Sequence, residues 1–168
     1  MSPVFFWGGP FSQWHPSTFD LDGTEYSCAE QAMMVLKARL FGDEAAASRI
    51  LSEAEPGAQK ALGRTVRGFD ETTWEAEREG IVKRVNLAKY GQNKGLRRKL
   101  FQTLGRELVE ASPMDTIWGI GLDEHAARQI PRGQWPGMNL LGRALMEVRE
   151  ELAALHPEDA EAAAKDAA

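Results

Sequence analysis

The sequence predicts a mainly α fold: a compact multihelical single domain with a small β-hairpin near the N-terminus. Three observations predict it. Residues 139–155 carry Leu140, Leu141, Leu145, Met146, Val148 and Leu152 at a spacing that suits one buried helical face. Alternating segments flank Asp22-Gly23, a short-hairpin signal. The chain has 168 residues, 43% apolar and 27% charged, which fits one ordinary folded domain. A domain of that size buries roughly 70% of the surface its unfolded chain exposes, enough for a core without disulfides or structural metal.

The elements follow in order. Phe19 to Tyr26 reads as two short strands joined at Asp22-Gly23. From Ser27 the pattern turns helical: Ser27 is a candidate cap with Glu30 three residues on, as in a capping box, and the run continues to Phe41 before Gly42-Asp43 ends it. Residues 43–52 read as a second helix, 56–63 as a short third, and 72–90 as a longer one with Asp70 or Thr72 near its cap. Residues 93–104 and 123–129 are weaker helical stretches, and 139–155 closes a domain spanning 1–155. Beyond it, EDAEAAAKDAA has good helix formers but no large apolar residue, so 156–168 is expected to be a solvated, frayed tail.

Composition narrows the function. A net charge of −5 argues against tight sequence-independent binding to nucleic acid, which needs Lys and Arg against phosphates, but leaves room for a small or locally bound anion. Cys28 is the single cysteine, and His15, His125 and His156 are far apart and outside any metal-ligand pattern. No metal and no cofactor are expected. The first residues lack a basic leader and a long apolar run, and no stretch approaches about 20 apolar residues, so a cytoplasmic protein with no membrane partner is expected.

Several residue sets carry candidate chemistry. Glu30 shares a helical face with Met33, Met34 and Lys37. A carboxylate among apolar neighbours loses hydration, which disfavours its charged form and suits it to general-base work. The alternative is a capping glutamate that reaches back to Ser27. Asp115 and Glu110 lie near Trp118 in VEASPMDTIWGIGL, and paired acids suit glycosyl chemistry, in which a carboxylate stabilises an oxocarbenium-like centre or activates water. The alternative makes Asp115 a turn cap and Glu110 a surface ion-pair partner. Ile117 to Leu122 lacks the third glycine of a dinucleotide fingerprint. Gly119 and Gly121 beside Trp118 suggest either a stacking surface for a base or tight core packing. Arg64, Lys89 and Arg143, with the amides of Asn93 and Asn139, are candidates for phosphate and ribose contacts, against the ordinary case of side chains facing water.

Taken together, these blocks resemble the NADAR family over about residues 5–152. The matching blocks are FFWGGPFSQWHPSTF, then Gly23/Tyr26/Glu30 leading to Lys37, Phe41-Gly42-Asp43, and Ala61 to Arg64. Farther on come Trp74, Ala88-Lys89-Tyr90 with Gln92-Asn93, Leu108 to Ser112, Asp115 to Gly121, and Asn139 to Gly142 ending in Met146 to Arg149. The resemblance implies a compact, mostly helical hydrolase that cleaves N-glycosidic bonds without metal. Its implied substrates are phosphoribosylamino-pyrimidine intermediates of riboflavin synthesis or ADP-ribosylated guanine in nucleic acid; a nucleotide-binding module without catalysis is the alternative. The family's glutamate falls on Glu30 and its aspartate and tryptophan on Asp115 and Trp118. Ser12, Gln13 and Lys37 join Arg64, Lys89, Asn93, Gly119, Gly121 and Asn139 as substrate-binding candidates. This chain departs from the usual pattern in having Ser12-Gln13-Trp14 for Ser-Asn-aromatic and Glu30-Gln31 for Glu-His.

Overall fold

The computed structural model describes residues 1–167. Contacts within the chain group into two units, Gln13–Asn93 and the combination of Met1–Ser12 with the chain from Lys94 onward.

In Gln13–Asn93, strands β2 (Phe19–Leu21) and β3 (Thr24–Tyr26) pair antiparallel in the register Phe19 to Tyr26 and Leu21 to Thr24. Asp22 and Gly23 both take positive φ, 52° and 83°, the geometry that lets a two-residue turn follow the twist of the strands. Helix α1 (Ala29–Leu40) follows, then α2 (Glu44–Leu51), α3 (Pro56–Gly63) and α4 (Glu71–Gln92). Caps explain the boundaries: Asp43 Oδ1 accepts from Ala46 N at 3.0 Å, Asp70 Oδ2 accepts from Thr73 N at 2.9 Å, and Pro56 opens α3. Helix α1 packs against α2, α3, α4 and β3. Every residue from Ala29 to Val35 is buried, so α1 is the axis of this unit. Gly63 lets α3 approach it, since a Cβ there would fall 2.0 Å from Met34 Sδ.

The expected capping box is displaced by one residue. Cys28 is the N-cap, its Sγ accepting from Gln31 N, while Ser27 N and Oγ donate to Gln31 Oε1 at 2.8 and 3.1 Å. Gln31, not Glu30, is the side chain that reaches back. Its Nε2 donates to Ile50 O at 3.1 Å, with Leu51 O and Glu53 O at 3.4 and 3.3 Å, satisfying carbonyls at the end of α2.

The other unit contains β1 (Val4–Phe6) paired parallel with β4 (Leu108–Glu110), Val4 opposite Leu108. Around them stand α5 (Lys94–Phe101), α6 (Glu124–Gln129), α7 (Leu140–Leu155) and α8 (Pro157–Ala167). The tail expectation needs correction, because 157–167 is a helix that packs on α5 and α7. Small Ala163 is fully buried, and Asp159 and Asp166 pair with Arg97 and Arg98 of α5. Alanines permit close approach where large apolar residues are missing.

Asn139 joins β4 to α7. Its Nδ2 donates to Leu108 O and its Oδ1 accepts from Glu110 N, each at 3.0 Å, and its φ is 54°. Asn tolerates that left-handed conformation and supplies both bonds. Asn139→Ala is expected to destabilise the fold by about 2–4 kcal/mol, through two lost buried bonds and an alanine in the left-handed region. Asn139→Gly, which removes only the backbone penalty, should cost less. Denaturant unfolding of the two variants checks the order; equal losses would show that the conformation contributes nothing.

Candidate functional site

Residues Gln13–Asn93 gather polar side chains along α1 and α4 that the apolar packing does not require. Glu30 is 3% exposed on α1, and its backbone N donates to Gln13 O at 2.9 Å. Gln13 is itself buried: its Oε1 accepts from Asn86 Nδ2 of α4 at 3.0 Å and its Nε2 lies 3.9 Å from Met33 Sδ. Asn86 Nδ2 also donates to Val82 O at 2.9 Å, while its buried Oδ1 has no hydrogen-bond partner. Because Gln31 does the capping, the Glu30 carboxylate is not spent on the helix end.

Two lysines face loss of water. Lys37 Nζ sits 4.9 Å from the centre of the Phe69 ring and 5.3 Å from that of Trp74. Burial pushes its pKa below the ordinary lysine value, Glu30 and Glu71 pull it back up, and Arg64 adds to the lowering. Lys89 of α4 is fully buried, with Nζ 4.9 Å from the centre of the Tyr90 ring, and burial lowers its pKa to about 7. Gln13, Glu30, Lys37 and Lys89 thus belong to α1, α4 and the segment leading into them. Arg64 is an exposed side chain at the end of α3 that is close enough to act on Lys37. Asn93 closes α4: its Nδ2 donates to Lys89 O at 2.8 Å and to Thr18 O at 3.2 Å, which ties the hairpin to the helix.

In the other unit, the expected residues form a tightly built loop. Asp115 Oδ1 accepts from Ile117 N and Trp118 N, both at 2.9 Å, so this carboxylate holds a turn. Trp118 is half-buried. A Cβ on Gly119 would lie 2.9 Å from Glu110 O and 3.0 Å from Asp115 O, and Gly121 has a φ of 73°. Packing within the loop therefore accounts for both glycines. Asn139 serves as the strut between β4 and α7, Arg143 is exposed, and Ser12 N closes the turn at Gly9–Phe11 by donating to Gly9 O at 3.0 Å. Among the described residues, no group of three or more His, Cys, Asp or Glu is placed to hold a metal ion, and no helix is long and apolar enough to cross a membrane.

Sequence reasoning passes over Arg78 and Asn86. Both are buried on α4, in the stripe that carries Trp74, Ile81, Val82, Val85 and Lys89. Polar residues recurring with helical period inside an apolar stripe are the signal that finds them.

The structure defines a mainly helical protein whose unit Gln13–Asn93 buries charged side chains on α1 and α4. The chain belongs to the NADAR domain family, whose model matches residues 5–153. It is 46% identical over 146 residues to N-glycosidase R617 of Acanthamoeba polyphaga mimivirus, covering 84% of this chain and 86% of that one. It is 40% identical over 158 residues to the protein irg-1 of Caenorhabditis elegans, covering 84% and 74%. N-glycosidase YbiA of Escherichia coli K12 is 30% identical over 145 residues, covering 86% and 82%. The solution NMR structure of E. coli YbiA superimposes with a TM-score of 0.77 at 28% identity, over 94% of this chain and 88% of that one.

The Lys89 value fixes the sign of a pH effect. Its folded pKa of about 7 lies below the ordinary 10.5. Below about 7 both states hold the proton, and the folded state bears the cost of burying that charge. Above it only the unfolded chain binds the proton, so this group's contribution to stability rises with pH until the unfolded value is passed. The slope is about 1.4 kcal/mol per pH unit at most. Lys89→Met is therefore expected to be more stable than wild type at pH 6, with the advantage shrinking from pH 7 to pH 10. Parallel unfolding profiles across that range would contradict the assignment.

Proposed function

We propose that the chain is an N-glycosidase that hydrolyses a ribosyl C1′–N bond. Membership of the NADAR family and the name N-glycosidase borne by its viral and bacterial relatives support the class of reaction. The observation that carries the reading is Glu30: a residue only 3% exposed on α1, whose backbone N donates to Gln13 O while Gln31 takes the bonds from Ser27.

Rupture of the C1′–N bond leaves positive charge shared between C1′ and the ring oxygen. A carboxylate in a low-dielectric setting stabilises that charge far better than one in water. Glu30 is assigned this role, or that of the base that takes a proton from the attacking water. The C1′–O bond then forms as C1′–N breaks, and the departing nitrogen regains a proton. On the family pattern, Asp115 is assigned to orient water or substrate and Trp118 to stack on the base. Lys37, Lys89, Arg64 and Asn93 are assigned to the phosphate and ribose, with Ser12, Gln13, Gly119, Gly121 and Asn139 as further substrate contacts. The reaction as drawn calls for neither metal nor cofactor, and a cytoplasmic setting belongs to the same reading.

The substrate is either a phosphoribosylamino-pyrimidine intermediate of riboflavin synthesis or ADP-ribose linked to guanine in nucleic acid. Wild type and Glu30→Gln should be assayed on both, with ribosyl release followed by chromatography. Wild type is expected to release product from one of them, and Glu30→Gln to be slower by about a hundredfold or more while melting normally. A Glu30→Gln protein with full activity would remove Glu30 from the chemistry. Nucleotide binding with no turnover of either substrate would replace the enzyme by a binding module.

A further inference from the structure

Three arginines are buried, and two have clear work. Arg149 donates through Nη1 to Thr103 O, Thr103 Oγ1 and Arg106 O at 2.8, 3.1 and 2.7 Å. Arg97 pairs with Asp159 at 2.8 Å. Arg78, 8% exposed in α4, makes no hydrogen bond or ion pair among the described residues, and its Nε is fully enclosed. A guanidinium stays charged at every accessible pH, so it cannot escape burial by losing its proton. Removing such a charge from water without a counter-ion is costly, and folded proteins avoid it unless another function demands it.

The surroundings indicate which anion would repay that cost. Trp74 lies one turn before Arg78 on the buried stripe of α4, and the Trp74 ring is one of the two that flank the Lys37 ammonium. Phe69, 41% exposed, is the other ring, 4.9 Å from the ammonium. Lys37 beside the Trp74 ring and Arg78 one turn farther along the stripe that carries Trp74 supply two cations, one of them a planar five-donor fork, which suits the charged oxygens of a phosphate. Arg78 is in Gln13–Asn93, the same unit as Glu30.

We infer that Arg78, with Lys37 beside Trp74, is the phosphate-holding site for the sugar-phosphate portion of the ligand. The identity of that ligand as a ribosyl phosphate rests on the glycosidase reading; the anion site itself does not. Binding there would neutralise the buried guanidinium and anchor the ribose by a group that takes no part in bond cleavage.

The test uses full-length wild type, Arg78→Met and Arg78→Lys, with melting temperature and calorimetric titration of ribose, ribose 5-phosphate and ADP-ribose. Arg78→Met removes an uncompensated buried charge, so the ligand-free variant should melt at or above the wild-type temperature. Its affinity for the phosphorylated ligand should fall about tenfold to a hundredfold, with ribose unaffected. Arg78→Lys should fall between them, because it keeps the charge and loses the fork. A loss confined to ribose 5-phosphate identifies a monoester as occupant, and one confined to ADP-ribose identifies a diphosphate. The proposal is overturned if Arg78→Met binds both ligands as wild type does, if wild type binds neither, or if the variant melts far lower or fails to fold. Absence of turnover in wild type with Arg78-dependent binding intact would defeat the glycosidase reading alone.

Discussion

Helix α1 is buried on nearly every side, and that constraint organises the unit built on it. A helix in this position cannot rely on water to satisfy its first amides or to solvate its polar side chains. Cys28, Ser27 and Gln31 meet the first need, and Gln31 also takes up the carbonyls at the end of α2, so one carboxamide links the hairpin exit, α1 and α2. Glu30 and Lys37 are then buried or half-buried polar groups of α1 that have no side-chain share in those bonds. Natural cores exclude such groups unless something compensates for their burial, and the helix that packs against α1, α4, itself buries Arg78, Asn86 and Lys89.

A comparable economy governs the loop before α7. Leu140 N and Leu141 N donate to Ile117 O and Trp118 O at 3.2 and 3.1 Å, so the opening amides of the helix are taken up by the chain itself. Asn139 N and Met138 N donate to Gly119 O and Thr116 O at 3.1 and 2.8 Å. The exposed amides that make a helix start an anion site are thus already engaged. Glycine is needed at 119 and 142 because backbone passes against backbone: a Cβ on Gly142 would fall 2.2 Å from Leu108 O.

Much of this architecture is legible in the sequence. Helical periodicity and caps such as Asp43, Asp70 and Pro56 placed the helices to within a few residues, and Asp22-Gly23 marked the hairpin. Strands β1 and β4 were not legible. Three residues are too few to show alternation, and their pairing joins segments about a hundred positions apart. The Ala-rich terminal helix was misjudged because close packing of small side chains leaves no apolar pattern. For the site, Glu30 stood out by its apolar neighbours, yet Ser27 and Glu30 also fit a capping box, and only coordinates show Gln31 in that role. Arg78 is less conspicuous because an arginine in a long helix usually faces water, and only its place in the stripe of Trp74, Ile81, Val82 and Val85 sets it apart.

Lys37, Lys89 and Arg78 differ in kind, and the difference bears on how an acidic protein would hold an anion. The net charge of −5 offers no long-range attraction, so binding must come from local groups. Lys89 is close to its titration point at neutral pH, and Lys37 is also shifted toward neutrality by burial. An approaching phosphate would favour the protonated form of Lys89, so part of its binding energy would go into proton uptake there. Arg78 needs no such step. With its charge fixed and its position set by the packing of α4, it is the group best prepared to bind an anion before the lysines respond, and its burial strengthens the field it exerts on whatever binds. That ordering ties the strength of ligand binding to the packing of one helix and leaves Lys89 to adjust to the charge of the substrate.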